Sequence, residues 1–437
     1  MLNTIKNAWR IPELRSKMLF TLLIIIVYRF GSVIPVPFID ASSLSTLLSS
    51  ASENTALGYI NMLTGGAFTY ASLFAMGISP YINSSIIMQL LTVAIPYLEN
   101  LSKEGEEGRK KIATLTRYVT VVLGLIQGVA YYIYLRNSGF VKYTAGFAGF
   151  FVGCVIVLCF TAGTALIMWM GEQINDKGIG NGISIILFAG IVARLPVTFG
   201  YVWQYFRLGL ESPSTNGHFL VLAPLFVVLF LGIIWVIVFM NEAERRVPVQ
   251  YAKRVVGRKM YGGQSTYMPI KVTMSGVLPV IFASSILFIP QFIHFFVNPK
   301  EGTFWASFFA AFEQTGVIYV VLYFLLILVF AYFYMAIQYN PLEMANNLRQ
   351  NNGTVPGIRP GKPTADFIGK ILNKVTLIGA LFLAFVALVP MIYSRVTGMT
   401  ALSLGGTSVI IIVGVALETV RQMESQMMMR HYKGFLD

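Results

Sequence analysis

Charge is what this 437-residue sequence has least of: Asp, Glu, Lys and Arg together make up 12% of it, about half the usual share of a soluble domain. Histidine is scarcer still. His218, His294 and His431 are scattered, which excludes a zinc cluster of ordinary spacing. The two cysteines, Cys154 and Cys159, lie five apart in one apolar run, so on a helix they face different ways and cannot pair. There is no GxxxxGK followed by Ser or Thr, no HExxH and no GxSxG. The sequence therefore predicts no ATP site of its own, no metal, no cofactor and no enzyme chemistry. Nor does any carboxylate sit in the middle of an apolar run; Glu418 lies near the end of the last one. Ion-coupled transporters normally need such carboxylates.

Apolar residues fill the space instead. They make up 56% of the chain, and the mean hydropathy is +0.69. A soluble protein of this length could not hide that much apolar surface, so the chain reads as an all-α integral membrane protein. Ten apolar segments run over 18–38, 76–97, 117–135, 147–171, 182–203, 218–240, 272–293, 317–338, 375–393 and 404–420. A spanning helix needs about 20 residues, which most of them supply. The first follows a basic start but leads into GSVIPVPFID with no small-residue cleavage site, so it reads as a retained helix.

Charge orients the chain. The segments 1–17, 98–117, 172–181, 241–271, 339–374 and 421–437 hold 25 of the 32 Lys and Arg residues, and the opposite side holds six. By the positive-inside rule the first set is cytoplasmic, and an even span number puts both termini there. Topology alone accounts for the short loops. The stretches 241–271 and 339–374 exceed what it needs. The first contains RRVPVQYAKRVV, whose alternation predicts a basic hairpin. The second contains NNGTVPGIRPGKPT, whose Pro and Gly residues predict a defined turn. Basic loops of this size suit an acidic partner or structured RNA, with a plain connector as the bland reading.

Several spans are interrupted. Thr64-Gly65-Gly66 breaks any helix, and Ser79-Pro80 starts a new one. From Pro80 to Pro96 is 17 residues, or about 25 Å of helix, short of a hydrocarbon core of about 30 Å. The preceding piece, about 62–76, is uncharged and fits a segment folded back into the membrane from outside; a loose loop followed by a tilted helix also satisfies these residues. Glycines precede spans five (Gly178, Gly180, Gly182) and ten (Gly405, Gly406). A repeat links Gly77-x-x-Pro80-x-Ile82 in span two to Gly276-x-x-Pro279-x-Ile281 in span seven, 199 residues on. With five spans per half, it is an inverted repeat, 1–205 against 206–437, and interrupted helices at matching positions mark the functional axis. Arg29 is the one charge inside an apolar run; bonding to carbonyls or snorkelling is the favoured reading.

The runs GISPYINSSIIMQLLT, MWMGEQINDKGIGNGISIILFAGIVARLP, QSTYMPIKVTMSGVLPVIFASSI and NNGTVPGIRPGKPT resemble the SecY family, the central subunits of the bacterial protein-conducting translocon. The resemblance covers essentially the whole chain. It implies ten transmembrane helices in two inverted five-helix halves around a central pore. Unfolded preproteins would cross the cytoplasmic membrane through it, and membrane helices would leave it sideways into lipid. It implies a pore ring of Ile78, Ile82, Ile183, Leu187, Ile281 and Ile411; Leu187 departs from the family's frequent Ile. Ile78/Ile82 and Ile183/Leu187 are i,i+4 pairs on one helix face, yet without the resemblance all six positions read as lipid-facing residues. It implies a plug helix over Thr64, Gly65, Gly66, Ala67, Phe68, Thr69, Tyr70, Ala71 and Ser72. It implies a lateral gate between spans two/three and seven/eight with Asn83, Gln127 and Ser285, and partner docking through Lys253, Arg254, Arg258, Lys259 and Arg359. The implied partners are the SecE and SecG subunits, the SecA ATPase, the ribosome, preprotein signal sequences and membrane lipid. A secondary transporter with inverted repeats is the alternative, and an insertase or scaffold without a through-pore a further one.

Overall fold

The computed structural model describes residues 2–50, 61, 64–251, 254–256, 259–261, 265–274, 276–297, 303–312, 316–399 and 406–433. Ten long helical stretches match the ten apolar segments. Spans one to five are Pro12–Gly31, Ser79–Ala94, Glu106–Asn137, Gly146–Lys177 and Gly182–Glu211. Spans six to ten are Phe219–Glu242, Leu278–Val297, Val317–Gln338, Lys362–Thr397 and Gly406–Lys433. Among the described residues seven of these, spans three to six and eight to ten, are by themselves long and apolar enough to cross a membrane. The most apolar window of span six has a mean hydropathy of 3.0, yet only 22% of it is buried inside the protein. Such a helix is stable only if lipid covers the rest.

The first span is shifted from the apolar run that announced it. Helix begins at Pro12, whose missing N–H costs nothing at a helix start. It ends at Gly31, because Pro35 and Pro37 cannot continue it and Phe38 has a φ of 69°. Span two is as short as its prolines require. It stops at Ala94, and the helix Pro96–Lys103 leaves at 99° to it.

The inverted repeat is visible in the backbone. Gly77 and Gly276 have φ of 56° and 58°, a left-handed turn that favours glycine. Each is followed two residues later by a helix start with Pro as its second residue. Spans five and ten also start alike. A Cβ on Gly182 would run into the carbonyl of Gly171 in span four, and a Cβ on Gly406 into that of Val386 in span nine. The neighbour relations repeat as well. Span one packs on four and five, two on three and four, three on four, and four on five. Six packs on nine and ten, seven on eight and nine, eight on nine, and nine on ten. The halves meet where span five touches six and ten, and where three touches seven.

The two long basic loops fold into one body. Strand β1 (Glu244–Tyr251) pairs antiparallel with β4 (Ser265–Lys271), which is the hairpin expected from the alternation. Its far end carries a second antiparallel pair, β2 (Arg254–Val256) with β3 (Lys259–Tyr261). The other edge of β1 takes β5 (Gly353–Thr354) from the second loop. Val247 and Val249 alternate inward, and Val247 packs in one apolar cluster with Ile270, Ala345, Val355, Ile368 and Leu372.

Candidate functional site

All six ring positions lie in one apolar cluster, contributed by spans two, five, seven and ten. Ile78, Leu187 and Ile411 are buried, while Ile82, Ile183 and Ile281 are half-buried. The repeat explains the convergence. Ile82 and Ile281 each stand five residues after the left-handed glycine of their half, and Leu187 and Ile411 each stand five after the glycine that opens their helix. Two pairs of symmetry-related side chains therefore close on one axis. Span five is held at its start by Asn181, whose side chain accepts from the N–H groups of Ile183 and Ser184 at 3.2 and 3.3 Å. Asn175 of span four accepts from the Gly182 N–H at 2.8 Å.

A cavity of about 30 Å³ opens beside the cluster, and Ile82, Leu187, Ile281 and Ile411 form its apolar wall. That is room for about two waters. Its other wall is polar: Ser79 and Asn83 from span two face Ser284 and Ser285 from span seven and Thr407 from span ten, with Phe288 among them. The structure thus joins Asn83 and Ser285 to the ring. Gln127 is half-buried on span three and does not line this cavity. Ser79, Ser284, Phe288 and Thr407 were missed in the sequence. The signal for two of them was present, since Ser79 and Ser284 stand three residues from Ile82 and Ile281 on their helices.

The segment 64–72 is not the helix that the resemblance implied. Residues 64–71 form successive turns, with positive φ at Gly65, Gly66 and Ala71, and such a backbone cannot build an i→i−4 ladder. The segment is nonetheless firmly seated. Thr64, Ala67, Phe68, Ala71 and Ser72 are buried. Phe68 stacks on Tyr131 with ring centroids 4.4 Å apart, and the Tyr131 hydroxyl donates to the Phe68 carbonyl at 3.1 Å. Val36 and Leu73 close the far end through N–H bonds of 3.0 Å each to the carbonyls of Ala71 and Ile34. Arg29 does bond a carbonyl, that of Gly65.

Arg359 is exposed on the turn that precedes span nine, and its carbonyl accepts from the Thr364 hydroxyl at 2.8 Å. The turn is fixed by Gly357 and Gly361, with φ of 79° and 102°. Arg254 and Lys259 fall on the small β2–β3 pair; Lys253 and Arg258 lie outside the described residues.

The SecY family model matches residues 72–420. The chain belongs to the SecY family. A protein translocase subunit SecY from Streptomyces galbus is 45% identical, with 100% of both chains covered. Its counterpart from Mycobacterium bovis is 40% identical, again over 100% of both chains. Among solved structures, "The structure of a protein conducting channel" covers 94% of this chain and 92% of its own, with a TM-score of 0.64 at 17% identity. The Sec61 channel of the canine ribosome-channel complex covers the same shares with a TM-score of 0.57 at 15% identity. The fold is therefore that of ten transmembrane helices in two halves, and the chain is a multi-pass membrane protein of the bacterial inner membrane. Its function is that of a protein-conducting channel of the translocase, and nothing favours the secondary transporter.

Proposed function

We propose that unfolded preproteins cross at the waist formed by Ile78, Ile82, Ile183, Leu187, Ile281 and Ile411. The convergence of these side chains from four spans into one cluster beside a small cavity carries the proposal. A translocating polypeptide presents every type of side chain in turn. Charges or strong hydrogen bonds at the waist would hold some of them, whereas branched aliphatics bind none tightly and exclude water when they close. The segment 64–72 acts as the plug beneath the waist. The polar face of Asn83 and Ser285 between spans two and seven is the lateral gate, where signal sequences and membrane helices reach lipid; Gln127 on span three belongs to its edge.

The domains are the halves expected as 1–205 and 206–437, with the boundary moved past Glu211 because span five runs to that residue, and both termini are cytoplasmic, on the side that holds most Lys and Arg. The joined basic loops, with Arg359, Lys253, Arg254, Arg258 and Lys259, dock the SecA motor or a translating ribosome. SecE and SecG complete the complex. The chain supplies a path and no catalysis, so the drive comes from the docked partner. Planar-bilayer conductance of the complex before and after deletion of residues 64–72 is the test. A rise on deletion fits a plugged pore, and two silent bilayers would return the chain to a scaffold without a through-pore.

A further inference from the structure

We infer that Arg29 is the latch of the plug: it holds the Thr64–Gly65 turn against span five while the channel rests. The inference rests on the plug reading above. Arg29 is the only charged residue between Lys17 and Asp40 and stands two residues before the end of span one. A guanidinium in an apolar run is costly unless its donors are used. Its Nη1 donates to the Gly65 carbonyl at 3.3 Å, and the hydroxyl of the adjacent Tyr28 donates to the Thr64 carbonyl at 3.4 Å. Two successive residues of span one thus serve two successive carbonyls of a segment whose own backbone bonds are separate turns, one of which, from the Ala67 N–H, reaches the Thr64 carbonyl at 3.4 Å.

The fit is close on both sides. Gly65 has a φ of 65°, and a Cβ there would lie 2.6 Å from Arg29 Nη1 and 2.7 Å from the Gly190 carbonyl oxygen. Gly190 follows the ring residue Leu187 by three positions on span five. The turn is therefore wedged between the Arg29 guanidinium and the helix that carries the waist. The 3.3 Å bond is longer than a strong charge-assisted pair of about 2.7–2.9 Å. It is a bond that can be released, and water in the opened funnel would resolvate the cation. Arg29 is a positioning residue: it acts on the pore through the plug.

The test is resting ion conductance of the full complex in planar bilayers, for Arg29→Leu and Arg29→Lys, each with and without residues 64–72, and for Gly65→Ala with the plug in place. Loss of a hydrogen bond to a charged group should raise resting conductance roughly tenfold in Arg29→Leu. Arg29→Lys, which keeps the charge and a donor, should raise it less. Gly65→Ala should match Arg29→Leu, and the two together should exceed neither. In channels without the plug both Arg29 variants should conduct like the chain with Arg29. Arg29→Leu at the resting level of the unaltered channel, with plug deletion still opening the pore, overturns the latch and spares the plug. An Arg29→Leu effect that persists without the plug also overturns it, because Arg29 then acts on span one itself. Plug deletion with no effect overturns the plug reading and the latch with it. Should Arg29→Leu fail to insert, Arg29→Lys carries the comparison with and without the plug, and Gly65→Ala that of the intact plug.

Discussion

Replacing Ile82 and Ile281 together by Ser tests the waist directly. The two residues are repeat mates, one from each half, and both face the same cavity of about 30 Å³. Each substitution removes three carbons and adds a hydroxyl. At about 0.8 kcal/mol per fully buried methylene, the half-buried sites should each lose roughly 1 kcal/mol of packing, which a ten-span protein tolerates. The effect on water is larger in consequence. Each hydroxyl can hold a water with a net contribution of about 0.5–1.5 kcal/mol, so two stabilise a wet waist by about 1–3 kcal/mol. That is roughly a 5- to 150-fold rise in the wetted fraction. Resting ion conductance of the complex with its plug intact should rise by a factor in that range. The control must be chosen from the structure. Ile24 and Ile327, mid-span in the sequence, are only 6% and 0% exposed, and Ile24 shares the ring's own cluster. Ile26 and Ile126, at 59% and 51% exposed, face outward and suit the comparison. If the double Ser change at Ile26 and Ile126 leaks as much as that at Ile82 and Ile281, the pore axis is misplaced.

Arg359→Glu should abolish SecA-driven preprotein translocation in proteoliposomes while the complex inserts and melts as before. The side chain is exposed and the turn is held by its backbone, whereas a reversed charge on a docking surface costs several kcal/mol; wild-type translocation would remove Arg359 from the docking surface. Asn83→Leu should ease gate opening, because an open gate exposes the polar Asn83 to lipid. Removing that cost of about 0.6–2 kcal/mol should let less hydrophobic signal sequences export, and a shift toward more hydrophobic ones would contradict the gate assignment. Asp40 accepts from the hydroxyls and N–H groups of Ser42 and Ser43 at the start of the helix Ala41–Ser50, and these bonds lower its carboxyl to about 2. The folded value lies below the unfolded value of about 3.9, so the cap is complete above pH 4 and lost as pH falls toward 2. Protection of the amides of residues 41–46, taken against intrinsic exchange at each pH, should fall across that window, and in Asp40→Ala the fall should vanish.

The spans were legible because each apolar run is longer than any soluble element needs and proline marks where helix can begin. Hydropathy alone misplaced the first one, since GSVIPVPF counts as apolar while its prolines forbid helix. The repeat was legible as Gly-x-x-Pro-x-Ile, because a left-handed glycine before a proline-led helix leaves a sequence trace. The ring was not legible from its residues: Ile82 at the waist and the exposed Ile87 on the same helix are the same side chain, and only the neighbouring spans tell them apart. Gly65 and Gly66 announced a break but not the conformation beyond it, because turns seated by Tyr131 and Arg29 depend on partners far away in the chain. The alternation of β1 foretold its pairing with β4. Its pairing with Gly353–Thr354 could not be read, since two residues carry no period.

That last pairing decides how a docked partner could act on the pore. Strand β1 continues directly from span six and β4, its partner, leads into span seven, and β5 binds the second loop to the free edge of β1. The feet of the spans are tied at the same level. Asn241 at the end of span six accepts from the Thr273 hydroxyl at 2.8 Å before span seven, and its carbonyl accepts from Arg421 of span ten at 2.9 Å. The Val272 carbonyl packs where a Cβ on Gly379 of span nine would stand. A load on either loop therefore reaches spans six, seven, nine and ten together. Spans seven and ten carry Ile281 and Ile411 and one polar wall of the gate. The facing wall, span two, is anchored elsewhere, by the Ser84 hydroxyl on the Thr116 carbonyl of span three at 2.7 Å. A partner seated on the basic loops would thus load one wall of the proposed waist and gate and not the other, which is the asymmetry that the proposed opening requires.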